Sequence, residues 1–328
     1  MKIAIVRLSA MGDIVNSAYI LPFIKEKHPE AIIDWFCEEL FAPLLDNNPH
    51  LNAVHTISLK KDRSVKGILS TIKKLKDLGP YDKVIDLQGL IKSALVAKYL
   101  GKHRYGFDKH SIREPFASKF YQHKTSISYA ENSLWRTAFL INDVFDTTIT
   151  KKDLSNLSPS LYYQPNNHIH NMFKNETNII FVVGSSQAYK NYPVDKIIQT
   201  IKTLNVHTIL IWGSQAEYQD ALRINKACHN STLGDRLSFN NLIQLVDKVD
   251  LTIGNDTGPT HIAWALGKKS ITLFGATPAS KMMWQTKHNI AIESPSIVDP
   301  LKLDKEDYTI AKIDPKEIAT TAKRLLDV

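Results

Sequence analysis

The chain has 328 residues, enough for one large domain or two of ordinary size. Hydrophobic residues make up 43% and charged residues 23%, the balance of a soluble globular protein, and no apolar run approaches the roughly 20 residues of a membrane span. The net charge of +8 fits either a solvated lysine-rich surface or an anionic partner, while two distant cysteines, Cys37 and Cys228, argue against a disulfide framework or a cysteine-held metal.

In chain order, "KIAIVRL" reads as a first buried strand. Arg7 and Asp13 break that apolar run and no small-residue cleavage site follows, so it does not read as a secretory signal. Further strands are expected at 31–37, 53–58 and 83–89, with an amphipathic helix at 64–78 that places Ile68, Leu69, Ile72, Leu75 and Leu78 at helical spacing. The polar, Ser-, Asn- and Pro-containing stretch 148–171 reads as a linker. Beyond it the alternation restarts. Strands are expected at 178–183, 207–212, 250–254 and 270–275, with helical segments at 194–204, 216–228, 238–249, 259–267 and 314–328. This β-α alternation predicts an α/β protein with two Rossmann-like parallel sheets, whose ligands bind at the carboxyl ends of the strands, in a cleft between the facing sheets.

Several strand ends carry polar groups. "SAMGD" (9–13) joins the first strand to a helix, and its Asp13 reads two ways. It is a good helix cap or first-turn acid, and it equally suits a general base facing an alcohol. A carboxylate there would repel a pyrophosphate, and no G-x-G-x-x-G is present, so a dinucleotide site is disfavoured. "GNDTGPTHIAWALG" (254–267) brings Asp256, Thr257, Gly258 and His261 to a helix start suited to phosphate oxygens. "VVGSSQAYK" adds Ser185, Ser186 and Lys190 after another strand, and "WGSQAE" adds Glu217, either a ribose acceptor or a dipole complement. In the first half, "DLQGLIKSA" presents Lys92 and "SIREPFASKFY" presents Arg113. Positive charge crowds into 58–67 and 73–79 without interleaved aromatics, which favours an acidic substrate or lipid surface over nucleic acid.

The segments "LSAMGDI", "IDLQGLIKSA", "REPFASKFY" and "NDTGPTHIAWAL" resemble those of the ADP-heptose:lipopolysaccharide heptosyltransferases, glycosyltransferase family 9, and most of all its type I members. The resemblance implies a GT-B fold of two Rossmann-like domains. It implies an acceptor domain at 1–160, an ADP-sugar domain at 161–312, and a closing helix at 313–328 packed back on the first domain. The implied reaction is inverting, metal-independent transfer of L-glycero-D-manno-heptose from ADP-heptose to a Kdo residue of Kdo-lipid A. No cofactor is implied, and the expected location is the cytoplasmic face of the inner membrane, on its anionic surface. By the same resemblance, Asp13 is the base. Ser9, Met11, Gly12, Lys60, Lys61, Arg63, Lys92 and Arg113 bind the acceptor. Lys190 steadies the leaving phosphate, and Ser185, Ser186, Glu217, Leu237, Asp256, Thr257, Gly258 and His261 join it in holding the donor. Ser185 and Ser186 stand where type I members more often have threonines, Leu237 where a methionine is expected near the adenine, and Pro259 where the family has a more flexible residue. The alternatives are addition of the second heptose, a sugar-nucleotide enzyme that needs no acceptor, and a non-catalytic ADP-binding module.

Overall fold

The computed structural model describes residues 1–57 and 65–327. It divides into two units, Met1–Ser160 and Leu161–Val328. The first unit contains β1 (Lys2–Val6), α1 (Met11–Ala18), α2 (Ile20–Lys27), β2 (Ile32–Glu38), β3 (Ala53–Ile57), α3 (Val65–Leu78), β4 (Lys83–Asp86), α4 (Ile91–Leu100), β5 (Arg104–Phe107), β6 (His123–Thr125) and α5 (Ser133–Phe145). Its strands form one parallel sheet in the order β3-β2-β1-β4-β5-β6. Ile3, Ala4, Ile5 and Val6 are all buried, because helices cover both faces of the sheet. The order reverses between β1 and β4, where Val6 pairs with Asp86, and this switch point is the place such sheets offer to ligands.

The second unit contains β7 (Asn178–Val182), α6 (Val194–Leu204), β8 (His207–Ile211), α7 (Gln215–Ala227), β9 (Ser231–Leu233), α8 (Phe239–Lys248), β10 (Leu251–Asn255), α9 (Gly258–Ala265), β11 (Ser270–Phe274), α10 (Ala279–Met282), β12 (Asn289–Glu293) and α11 (Pro315–Leu326). Its parallel sheet runs β12-β11-β10-β7-β8-β9, with the reversal between β10 and β7, where Gly254 pairs with Val182. The helix α11 differs from expectation. Ile318, Ala319, Ala322 and Leu325 bury its apolar face in the core of the second unit, with Ile197 and Ile201 of α6, so the helix belongs to that unit. Its Asp314 cap and first-turn Pro315 start it as the sequence suggests.

Four strands lie outside the sequence expectation. β5, β6 and β9 are three or four residues long, and β12 has only a half-buried pattern, so none shows the apolar run by which the inner strands are read. Among the described residues, no helix is long and apolar enough to cross a membrane.

Candidate active site

In the first unit the chain leaves β1 at Arg7, and α1 begins at Met11 with Gly12 and Asp13 in its first turn. The Ser9–Ala10 peptide is cis. Asp13 Oδ2 accepts from the Ala10 amide at 3.2 Å, and Asp13 Oδ1 pairs with Arg7 Nη2 at 2.7 Å. Arg7 Nη1 in turn donates to the Leu87 carbonyl at 2.5 Å, so the guanidinium ties the β1 turn to the β4 turn. The Asp13 side chain remains 38% exposed, enough for a substrate hydroxyl to reach it. It is therefore both the helix-start acid and an accessible, oriented carboxylate.

The β4 turn is built around buried Asp86, which accepts from the amides of Gln88 and Gly89 and from the Tyr121 hydroxyl at 2.7 Å. Burial pushes its carboxyl above the ordinary range against those donors. Gly89 has φ +68°, and a side chain there would also strike Ile112, so glycine is required. Gln88 Oε1 accepts from the Leu8 amide at 3.0 Å, which fixes the two strand ends to each other. Lys92, in the first turn of α4, donates to Ser9 Oγ at 3.2 Å and to Glu38 Oε1 at 2.9 Å. The ends of β1, β2 and β4 thus converge on Ser9, Asp13, Glu38 and Lys92.

Arg113 is exposed on the loop after β5, and its neighbour Glu114 accepts from the Ile91 amide at 2.7 Å, bringing the loop to the start of α4. Buried Arg136 fixes that loop. It donates to the carbonyls of Ser111, Ile127 and Ser128 and lies 4.5 Å over the Phe107 ring. Met11 and Gly12 are half-buried beside Asp13. Lys60, Lys61 and Arg63 lie outside the described residues.

In the second unit the centre is Asp256, just past β10 and 5% exposed. Lys190 Nζ donates to its Oδ2 at 2.5 Å, and Thr277 Oγ1 donates to the same oxygen at 2.9 Å. His261 Nε2 lies 3.1 Å from Oδ1. An ionised carboxylate only accepts, so this ring nitrogen carries the proton. Burial alone would raise the Asp256 carboxyl, but the His261 hydrogen bond and the Lys190 charge outweigh it and hold the group well below its usual range. With both oxygens committed, Asp256 anchors a cation and a ring from two other segments. A phosphate set directly against it would meet like charge.

Thr257 caps α9, and Gly258 and Pro259 occupy its first turn. The proline suits that position but has no N–H, so the remaining amides and Lys190 must meet any negative charge there. The chain after β7 is closed by Asn191, whose Oδ1 accepts from both the amide and the hydroxyl of Ser185 at 2.8 Å. The Ser185 hydroxyl is thus spent on its own loop, whereas Ser186 is exposed. Glu217 completes a capping box with Ser214, the cap of α7, and its Oε2 also accepts from the Gly213 amide at 2.6 Å. A Cβ at Gly184 would come within 2.5 Å of Glu217 Cγ, so the glycine makes room for this carboxylate beside the end of β7. Leu237 is half-buried just before the Ser238 cap of α8.

Arg7, Glu38, Thr277 and Asn191, the partners that orient the expected residues, lie outside the sequence expectation. Arg7 carried a signal, a cation at a strand end six residues before an acid in a helix's first turn. Among the described residues, no group of three or more His, Cys, Asp or Glu could hold a metal ion.

A family model described as Glycosyltransferase family 9 (heptosyltransferase) matches residues 68–302. The chain is 36% identical over 341 residues to lipopolysaccharide heptosyltransferase 1 of Campylobacter coli, covering 99% of each. It is 27% identical over 299 residues to lipopolysaccharide heptosyltransferase 1 of Pseudomonas aeruginosa, covering 84% of this chain and 79% of that one. Among solved structures, E. coli heptosyltransferase WaaC with ADP matches with a TM-score of 0.80 at 20% identity, over 99% of this chain and 100% of that one. That likeness shows the fold, two Rossmann-type units of the GT-B class.

Proposed function

The chain belongs to glycosyltransferase family 9, the heptosyltransferases, and from that premise we propose that it moves L-glycero-D-manno-heptose from ADP-heptose to a Kdo residue of Kdo-lipid A. The observation that carries this reading is the 36% identity to a lipopolysaccharide heptosyltransferase 1 along 99% of both chains. The geometry supplies the chemistry. Asp13, oriented by Arg7 and the Ala10 amide, takes the proton of the acceptor hydroxyl. The freed oxygen attacks the anomeric carbon from the face opposite the diphosphate, and inversion follows. The carbon–oxygen bond to phosphate breaks, and its electron pair leaves with ADP.

The leaving group gains negative charge as that bond breaks. Lys190 and the amides at the start of α9 offset it without a metal ion, and Asp256 keeps the Lys190 ammonium and the His261 ring in place rather than touching phosphate itself. Glu217 and Leu237 belong with the ribose and adenine, and Ser186, Thr257 and Gly258 with the diphosphate. Ser9, Met11, Gly12, Lys92 and Arg113 hold the acceptor, whose carboxylate and phosphates suit basic groups. The enzyme works as a peripheral protein on the cytoplasmic face of the inner membrane, where a lipid-borne acceptor is presented.

The test is release of ADP from ADP-heptose in EDTA, with Kdo-lipid A as acceptor. Acceptor-dependent release with a product heavier by one heptose is expected. Release only with an acceptor that already carries one heptose would assign the second transfer instead.

A further inference from the structure

The outer face of α4 and the short 3-10 turn Pro115–Phe120 share a surface that the chemistry above does not use. Ile91, Leu95 and Phe116 are 38%, 39% and 52% exposed, large side chains that would ordinarily be covered. Ile91, Leu95 and Lys98 follow one another at helical spacing on α4. The turn is fastened beside them at both ends. Glu114 accepts from the Ile91 amide at 2.7 Å, and Lys98 Nζ lies 5.7 Å from the centre of the Phe120 ring. Phe120 in turn meets Phe116 edge-on at 5.9 Å. The three exposed apolar residues therefore lie on two elements that are joined.

Apart from Glu114, whose carboxylate is held by the Ile91 amide, the charge around them is positive. Neither 87–107 nor 115–130 contains an Asp or Glu, while Lys98, Lys102, Lys119 and Lys124 are exposed on these segments. Lys119 Nζ lies over the Phe116 ring, 4.9 Å from its centre, so a cation stands directly beside the exposed apolar residues. Apolar side chains within a lysine rim fit the boundary of an anionic bilayer, where the former enter the acyl region and the latter meet phosphates. A second copy of the chain fits poorly, because a two-fold contact would set lysines against lysines.

We propose that the joined face of α4 and Pro115–Phe120, with Ile91, Leu95 and Phe116 rimmed by Lys98 and Lys119, seats this protein on an anionic lipid surface. The face adjoins Lys92 and Arg113, so a lipid-anchored acceptor would present its sugar end beside the first unit's polar groups. That purpose rests on the acceptor proposed above; the surface itself does not.

The experiment compares the full chain with two double variants, Leu95→Ser with Phe116→Ser, and Lys98→Glu with Lys119→Glu. A charge-matched control, Lys226→Glu with Lys323→Glu, alters exposed lysines of the second unit. Partition is measured into phosphatidylglycerol-containing vesicles and into pure phosphatidylcholine vesicles at low and high salt. Expected are binding of the wild type to the anionic vesicles at low salt, and a loss of about tenfold or more in each patch variant. The control should bind like wild type, and turnover of a soluble, deacylated Kdo acceptor should be retained by every variant. Wild-type-like binding by either patch variant, or an equal loss in the control, overturns the proposal. So does a wild-type oligomer that the patch variants dissolve in sedimentation velocity while vesicle binding is unchanged. If no protein turns over the acceptor, the transfer reading fails while the partition result still decides the surface.

Discussion

Replacing Asp256 by Asn removes a buried negative charge and leaves its shape. The Lys190 ammonium, 17% exposed and 2.5 Å from Asp256 Oδ2, then loses its counter-charge, and His261 and Thr277 lose a charged acceptor. Stranding one member of a buried pair typically costs 3–5 kcal/mol; water still reaches part of Lys190, so about 3 kcal/mol is expected. In urea this lowers the midpoint of the second unit's transition by about 1–2 M. Lys190→Met combined with Asp256→Asn leaves neither charge unpaired and should return to within about 1 kcal/mol of wild type, yet bind ADP as weakly as Lys190→Met alone. Acidity adds a second readout. Because the folded Asp256 carboxyl lies below its ordinary value, the unfolded chain binds the extra proton as pH falls through about 4. Its contribution is complete above that pH and is lost as pH drops toward the folded value, and Asp256→Asn should flatten this acid-side slope. Unfolding of Asp256→Asn at the wild-type midpoint, or a double variant no more stable than Asp256→Asn alone, would refute the anchoring role.

Asp13→Asn should lower turnover by about 100- to 10,000-fold while ADP affinity, measured by calorimetry, stays within twofold. Lys92→Met, which frees Ser9 and Glu38, should raise the KM for the acceptor about tenfold or more and leave the KM for the donor unchanged. Gly184→Ala drives a Cβ to within 2.5 Å of Glu217 Cγ, so a loss of about 1–3 kcal/mol in urea unfolding is expected, together with weaker nucleotide binding. Tyr81→Phe removes the 2.5 Å hydrogen bond to buried Asp34, which half-buried His55 and exposed Asn52 also contact, and should cost about 1–3 kcal/mol without changing ADP affinity.

Much of the fold is legible because the inner strands are buried on both faces. "KIAIV", "NIIFV" and "SITLF" need no partner information to be read as strands, and α6 follows the apolar spacing of its sequence. β5, β6 and β9 are held by pairing with neighbours more than by their own composition, so they emerge only once the sheet exists. The sequence of α11 states that the helix has an apolar face, not which core receives it, and in the structure that face lies in the core of the second unit.

The site divides in the same way. Asp13, Lys92, Asp256 and His261 stand at strand ends and in first helical turns, places that local sequence marks, and Lys190 closes a short turn between β7 and α6. The Lys190–Asp256 and Arg7–Asp13 pairs depend on which strands are adjacent, and adjacency is set by topology. Ser185 shows the reverse case. Its hydroxyl suggests a ligand contact, but Asn191, six residues on, takes it for the loop.

The central claim is transfer of a heptose with Asp13 as base. The most direct test follows ADP release from ADP-heptose in EDTA by wild type and Asp13→Asn, with and without Kdo-lipid A, and weighs the product. The account predicts release that needs the acceptor, a product heavier by one heptose, and near-abolition in a folded Asp13→Asn protein that still binds ADP. Release indifferent to the acceptor, or an Asp13→Asn protein with wild-type turnover, would contradict it.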